Sequence, residues 1–353
     1  SRINFNGVVD KVRDALIKAG LTLIDMDLCE IAEPTDVDVD LWAKLIRKAN
    51  IDGAVALGGG SVIDLTRGVT GLVTNPGSVR DYLYHRGVDP NFKNQLPVIS
   101  IPTTAGSGSE VSESAVVTDT QDILKSFFRF SSKLAILDPE MTIGMPPLLT
   151  AETGMDAMSH LMETYLSRKA NYKSDALALY FMKEVVKWLP IAIEEPNNLE
   201  ARGLMLCAAS FGGINFNNAS LAMGHGIAHC IGAYFNIGHA LTCAFVFPEY
   251  LRLCSLEMPN RIKEIGEMLG ATFKGKKQPE VIGDIAASQA RKFLHKIGIP
   301  SVGETGISRE KFVAIAHDVY EANKNTIYNA NTPCKRMTEE DILGFLERTY
   351  DMY

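Results

Sequence analysis

Over the first 146 residues, short apolar runs rich in β-branched side chains alternate with amphipathic stretches, and beyond that point the runs thin out. The runs are residues 21–28 (LTLIDMDL), 54–60 (AVALGGG), 97–104 (PVISIPTT), 114–119 (SAVVTD) and 134–139 (LAILDP), each of strand length. Between them, 7–20, 37–51 and 61–73 carry apolar residues at the three- and four-residue spacing of one helix face. Strand and helix in alternation predict a parallel sheet covered by helices. After 145–150 (MPPLLT), where two prolines interrupt regular structure, 151–167, 173–193, 199–216, 259–271, 284–298 and 339–350 all read as helices. Helices without strands must bury their stripes against one another. The pattern therefore predicts an α/β domain over 1–146 and an all-helical domain over 147–353.

Composition narrows what such a chain does. With 353 residues there is more than one core to fill, and 46% hydrophobic with 22% charged residues is ordinary globular usage. A formal charge of −7 supplies no broad positive field, which argues against nucleic acid or an anionic membrane as partner and for a small molecule. Cys29, Cys207, Cys230, Cys243, Cys254 and Cys334 are scattered without a CxxC pair, the usage of reduced thiols in the cytoplasm. No apolar run reaches the roughly 18 residues of a spanning helix, and no signal pattern opens the chain. Ser1 stands where an initiator methionine would, so an upstream segment is expected to be missing.

Two loops carry candidate binding chemistry. Gly58, Gly59 and Gly60 follow a buried strand and precede a helix starting near Ser61, which lets backbone approach a ligand and aims amide N–H groups at it. The spacing is not GxGxxG, so the turn alone is compatible with a pyrophosphate or with a plain tight turn. Residues 101–112 (IPTTAGSGSEVS) follow another strand and offer hydroxyls at Thr103, Thr104, Ser107, Ser109 and Ser112. Two such loops at the carboxyl ends of strands favour a nucleotide.

A second constellation lies in the helical half. Asp156 and His160 are four apart in a helical pattern and face one way. His225 and His229 share a face in the same manner, and His239 follows a break, 234–238 (YFNIG), that allows it to fold back. Four of seven histidines thus fall in two short motifs, leaving His85, His295 and His317 as ordinary residues. One carboxylate and several imidazoles suit a divalent cation, which would also relieve the cost of burying Asp156.

The segments 58–64 (GGGSVID), 102–112, 136–142, 153–167 and 224–229 through His239 resemble the iron-containing (group III) alcohol dehydrogenases. The resemblance implies a Rossmann-like NAD(P)-binding domain, an all-α metal domain in the dehydroquinate synthase-like architecture, and NAD or NADP with a divalent metal, Fe(II) or alternatively Zn(II). It implies Asp156, His160, His225 and His239 as metal ligands and His229 as the proton-transferring residue. Gly59, Gly60 and Ser61 match the pyrophosphate loop, Thr103, Thr104 and Ser107 the second cofactor loop, and Asp64 and Lys125 further cofactor-side positions. It implies a homodimer acting on a small alcohol or aldehyde. Relative to the family, the first strand and its cofactor-discriminating acidic residue are missing, Arg67 replaces a lysine, Gly238 and Ala240 replace proline and glycine, and 125–137 is short. A dehydroquinate synthase-type lyase and a non-catalytic cofactor-binding scaffold are the alternative readings.

Overall fold

A computed structural model of the chain describes residues 7–25, 33–122, 124–334 and 336–351. Contacts divide it into two units, Ser1–Met145 with Pro196–Gly213, and Pro146–Glu195 with Ile214–Tyr353.

In the first unit α1 (Val8–Lys18), α2 (Asp36–Ile46), β1 (Ala54–Gly58), α3 (Gly60–Thr74), β2 (Val98–Pro102), β3 (Ser114–Asp119), β4 (Leu124–Arg129) and β5 (Leu134–Ala135) follow in order. Strands β1, β2 and β5 form a parallel sheet in that spatial order, with Ala54 opposite Val98 and Ile99 opposite Leu134. β3 and β4 pair separately as an antiparallel hairpin, Ser114 opposite Arg129. Helix α2 starts where Thr35 and Asp38 form a reciprocal capping box. Its Val39, Ala43 and Ile46 pack with Ile63, Leu65, Val69 and Leu72 of α3, with Ala56 and Val98 of the sheet, and with Ala115, Val117, Phe128 and Phe130 of the hairpin region. Apolar residues every three or four positions on two helices thus close over both β elements, as helix-on-sheet burial requires.

Three strand expectations change. Leu21–Asp25 forms no strand, and Leu21 and Ile24 are exposed, because no neighbouring strand pairs with them among the described residues; Met26–Leu28, like Cys29, lie outside those residues. The run at 134–139 yields only the two residues of β5, since Asp138 caps a helical turn that begins at Pro139. Strand β4 was not among the expected runs: its Lys125 and Ser126 interrupt the apolar signal.

The helical unit contains α4 (Pro147–Leu166), α5 (Tyr172–Glu194), the end of α6 (Leu199–Ala219), α7 (Met223–Phe235), α8 (His239–Cys254), α9 (Pro259–Met268), α10 (Pro279–Lys296), α11 (Arg309–Ala314), α12 (Ala316–Asn323), α13 (Ile327–Asn331) and α14 (Glu339–Tyr350). Pro147 starts α4 rather than only interrupting structure, because a first-turn proline forgoes no helical hydrogen bond. From Thr153 to Leu166 every residue of α4 is buried, so this helix is an interior one.

The expected second domain was continuous from 147, but Pro196–Gly213 packs with the first unit. The cause is a close backbone approach: a Cβ on Gly213 would stand 2.4 Å from the Gly108 carbonyl oxygen, and Gly108 itself has φ +61°. Nearby, the buried Glu110 carboxyl accepts the Ser210 hydroxyl. The obstructing atoms are backbone rather than the end of a flexible side chain, so making room for a methyl group is costly. Gly213→Ala is expected to destabilise the chain by about 1–3 kcal/mol, read as a lower thermal midpoint; an unchanged midpoint would show the approach to be dispensable.

Candidate functional site

Three helices of the second unit carry the polar cluster. Asp156 and His160 lie one turn apart on α4, both buried. His225 lies on α7, which ends at Asn236 in the left-handed region, φ 53°. Asparagine tolerates that conformation, and the amide of Ile237 donates back to the Gly232 carbonyl. The reversal is complete within Asn236, Ile237 and Gly238, so His239 becomes the first residue of α8 and returns to His225, ring centroids 5.4 Å apart. Gly238 has φ −55°, so no left-handed conformation requires glycine there.

One atom organises this cluster. Asp156 Oδ1 lies 3.6 Å from His160 Nε2, 3.7 Å from His225 Nε2 and 3.7 Å from His239 Nε2. These separations are too long for hydrogen bonds, and Oδ1 is buried without a hydrogen-bond partner. Donors about 2.0–2.2 Å from a common ion at tetrahedral angles would be about 3.3–3.6 Å apart. The donor set and its spacing therefore fit a divalent cation. Burial pushes the Asp156 carboxyl up, but the facing imidazoles outweigh it and hold the group well below the usual carboxylate range.

Glu163 is a site residue that the sequence reading missed. Its Oε1 accepts from His225 Nδ1 at 2.5 Å, and its Oε2 accepts from the Ala222 amide at 2.9 Å. With Nδ1 donating to Glu163, Nε2 of His225 keeps its lone pair for a cation. A signal was present, since Asp156, His160 and Glu163 stand at i, i+4 and i+7 on one helix face. Burial would lower the His225 pKa, yet Cys243 and Glu163 together with Asp156 raise it well above the ordinary value. Cys243 was also missed, though it follows His239 by four residues; burial pushes its thiol up to about 12. His229 is half-buried, with its ring centroid 4.7 Å from that of His239 and 5.6 Å from that of Tyr328. Tyr328 comes from α13, a tertiary neighbour that no local pattern announces.

In the first unit the two candidate loops are adjacent. The Thr103 amide donates to the Gly58 carbonyl at 2.9 Å, so both loops leave the same ends of β1 and β2. A Cβ on Gly60 would stand 2.6 Å from Ser107 Oγ, and one on Gly59 3.2 Å from Thr104 Oγ1. No side chain caps the start of α3, where Ser61 lies in the first turn. Amide-rich backbone and hydroxyls at strand carboxyl ends suit a pyrophosphate.

Asp64 and Lys125, the further cofactor-side positions of the resemblance, both have protein partners. Asp64 Oδ1 accepts from Ser109 Oγ at 2.5 Å and pairs with Arg67, while Oδ2 accepts the Val116 amide at 2.9 Å. Its carboxylate is consumed in holding α3 to the 101–112 loop and β3. Lys125 donates to Glu33 at 2.7 Å from within the hairpin. Arg67, fully buried, donates to the carbonyls of Ser109, Ser112 and Phe130. A planar guanidinium serves several carbonyls at once in a fixed fork, which a lysine ammonium cannot reproduce.

A glycine turn suited to a pyrophosphate and a buried carboxylate among imidazoles are the features of a metal- and nucleotide-dependent class of enzyme. Sequence comparison agrees: residues 2–139 match the profile described as iron-containing alcohol dehydrogenase, and residues 150–350 match the C-terminal profile of the Fe-containing alcohol dehydrogenase family. The chain belongs to the iron-containing alcohol dehydrogenase family. The NAD-dependent methanol dehydrogenase of Bacillus methanolicus is 30% identical over 323 residues, covering 90% of this chain and 84% of that protein. Alcohol dehydrogenase 4 of Schizosaccharomyces pombe is 36% identical over 265 residues, 74% of this chain but only 62% of its own length. The solved alcohol dehydrogenase from Oenococcus oeni superposes with a TM-score of 0.87 at 27% identity, covering 98% of this chain and 88% of that one. No helix among the described residues is long and apolar enough to cross a membrane.

Glu163→Gln keeps the size of the side chain but removes the charge that orients and polarises His225. Metal affinity, measured by competition with a chelator, is expected to fall about 10–100-fold; unchanged affinity would make Glu163 a packing residue only.

Proposed function

We propose that this chain is a metal-dependent alcohol dehydrogenase and aldehyde reductase, moving a hydride between NAD or NADP and a small primary alcohol or aldehyde. The observation that carries the reading is the buried, unpartnered Asp156 Oδ1, 3.6–3.7 Å from three imidazole nitrogens. Family membership supports it, as does the NAD dependence in the name of the Bacillus methanolicus relative.

Asp156, His160, His225 and His239 would hold the ion. When bound, a divalent cation, Fe(II) by family and Zn(II) by donor type, supplies Lewis-acid polarisation of the substrate oxygen. Glu163 holds His225 in the tautomer that leaves Nε2 free. His229, packed between His239 and Tyr328, receives the alcohol proton on a ring nitrogen and passes it outward. In the first unit Gly59, Gly60 and Ser61 bind the pyrophosphate through backbone amides, and Thr103, Thr104 and Ser107 add hydroxyls from the neighbouring loop. Asp64 and Lys125 are on this reading supports of that loop and hairpin rather than cofactor contacts.

The reading extends to a cytoplasmic homo-oligomer, a dimer by family resemblance. The free thiols of Cys207, Cys230, Cys243, Cys254 and Cys334 fit a reducing compartment. Val37, Leu41 and Leu45, exposed at successive turns of α2, give self-association an apolar stripe.

The chelator-stripped protein, reconstituted anaerobically with Fe(II), is expected to oxidise short alcohols with NAD or NADP and to reduce the matching aldehydes. Undiminished activity without metal would overturn the reading. His239→Ala is expected to lose both bound metal and turnover. His229→Gln separates the proton role from ligation: kcat is expected to drop about 100-fold or more with a flattened pH profile, while metal content stays at the wild-type level. Loss of metal from His229→Gln would instead make His229 part of the ligand set.

A further inference from the structure

The metal reading draws on one aspartate and three histidines, but another kind of donor stands in the same cluster. Cys243 follows His239 by one turn of α8 and is fully buried. Its Sγ lies 3.7 Å from His225 Nε2 and 3.5 Å from His239 Nε2. Those same two nitrogens are each 3.7 Å from Asp156 Oδ1. Sulfur and carboxylate oxygen are therefore nearly equivalent in their distances to both imidazoles, and all four atoms lie within 4.8 Å of one another. Nitrogen and sulfur donors at about 2.0 and 2.3 Å from one tetrahedral ion stand roughly 3.5 Å apart. The thiol can donate to one of the two nitrogens and accept from the other, but that leaves Asp156 Oδ1 buried without a partner, whereas a cation accounts for both distances and for that oxygen.

We propose that Cys243 Sγ is a metal donor, so that the centre offers a second four-donor set, Asp156, His225, His239 and Cys243, for thiophilic divalent cations such as Zn(II), Co(II) and Cd(II). The proposal rests on the metal reading above and adds a ligand to it. On binding, the S–H bond breaks, its proton goes to solvent, and the sulfur lone pair is donated to the cation; no oxidation state changes. Thiolate selects softer ions than imidazole and carboxylate do. A second anionic ligand also cancels the charge that carboxylate and neutral imidazoles leave on a divalent ion, so the sulfur-bound centre polarises a substrate oxygen less. The thiol thus links which ion is bound to how reactive the centre is.

The test uses the whole chain, stripped with chelator and titrated with Co(II). Ligand-field bands in the visible report that the ion is bound, and a sulfur-to-cobalt charge-transfer band in the near ultraviolet reports the thiolate. Both are expected in the wild type, and only the ligand-field bands in Cys243→Ser. In that variant, Cd(II) affinity is expected to fall at least about tenfold, with Mn(II) affinity moving less than about threefold. Ligand-field bands without charge transfer in the wild type would overturn the sulfur donor and leave the metal reading intact. Absence of both would overturn the two together. The wild-type spectrum decides between these outcomes even if Cys243→Ser does not fold.

Discussion

A carboxylate in the interior of a helical domain has to be compensated, and the second unit is arranged around that requirement. Asp156 lies on a helix buried along nearly its whole length, where an unpaired charge would be strongly destabilising. Imidazoles surround it at distances beyond hydrogen bonding but suited to a shared cation. The facing imidazoles hold the Asp156 carboxyl low, and a bound cation would supply the compensating charge in its turn. The histidines' alignment is itself supported, through Glu163 on His225 and through the short reversal that returns His239 to α7. One buried charge accordingly explains why three separate helices bring polar atoms to a single point.

The first unit meets a different constraint. Its candidate cofactor surface is backbone, and backbone holds its shape only if what lies behind it is held. Asp64 and Arg67, one turn apart on α3, bind the 101–112 loop and the end of β4 through side-chain and carbonyl contacts. Both are buried, and each offsets part of the other's burial cost: desolvation pushes the Asp64 carboxyl up, while Arg67 and Ser109 pull it back. Substituting arginine for the usual lysine is consistent with this task, because three carbonyls need a forked donor. Rigid support behind a glycine turn is what lets the turn itself carry no side chains.

The legible part of the chain was whatever repeats on the scale of one element. Spacings of three and four marked α1 to α6, α9, α10 and α14, and the alternation of strand and helix predicted the α/β character of the first unit. The same spacing put Asp156 with His160 on one face, and it would have included Glu163 had the face been followed one more turn. Elements with interrupted patterns were lost: β4 carries lysine and serine within its run, and 134–139 looked like a full strand until Asp138 and Pro139 turned it.

Local periodicity thus specified most of the elements and the residue types able to bind a cation, because each depends on neighbours within a few positions. Tertiary packing decided the rest. The Gly108–Gly213 approach brought Pro196–Gly213 to the first unit; Asp64 was turned inward to Arg67 and Ser109; Tyr328 was delivered to His229 and Cys243 to the imidazoles. Apart from the one-turn pairs Asp64–Arg67 and His239–Cys243, these contacts join positions on different elements, several of them dozens of residues apart, and a contact of that kind depends on how whole elements pack rather than on the spacing of residues within one.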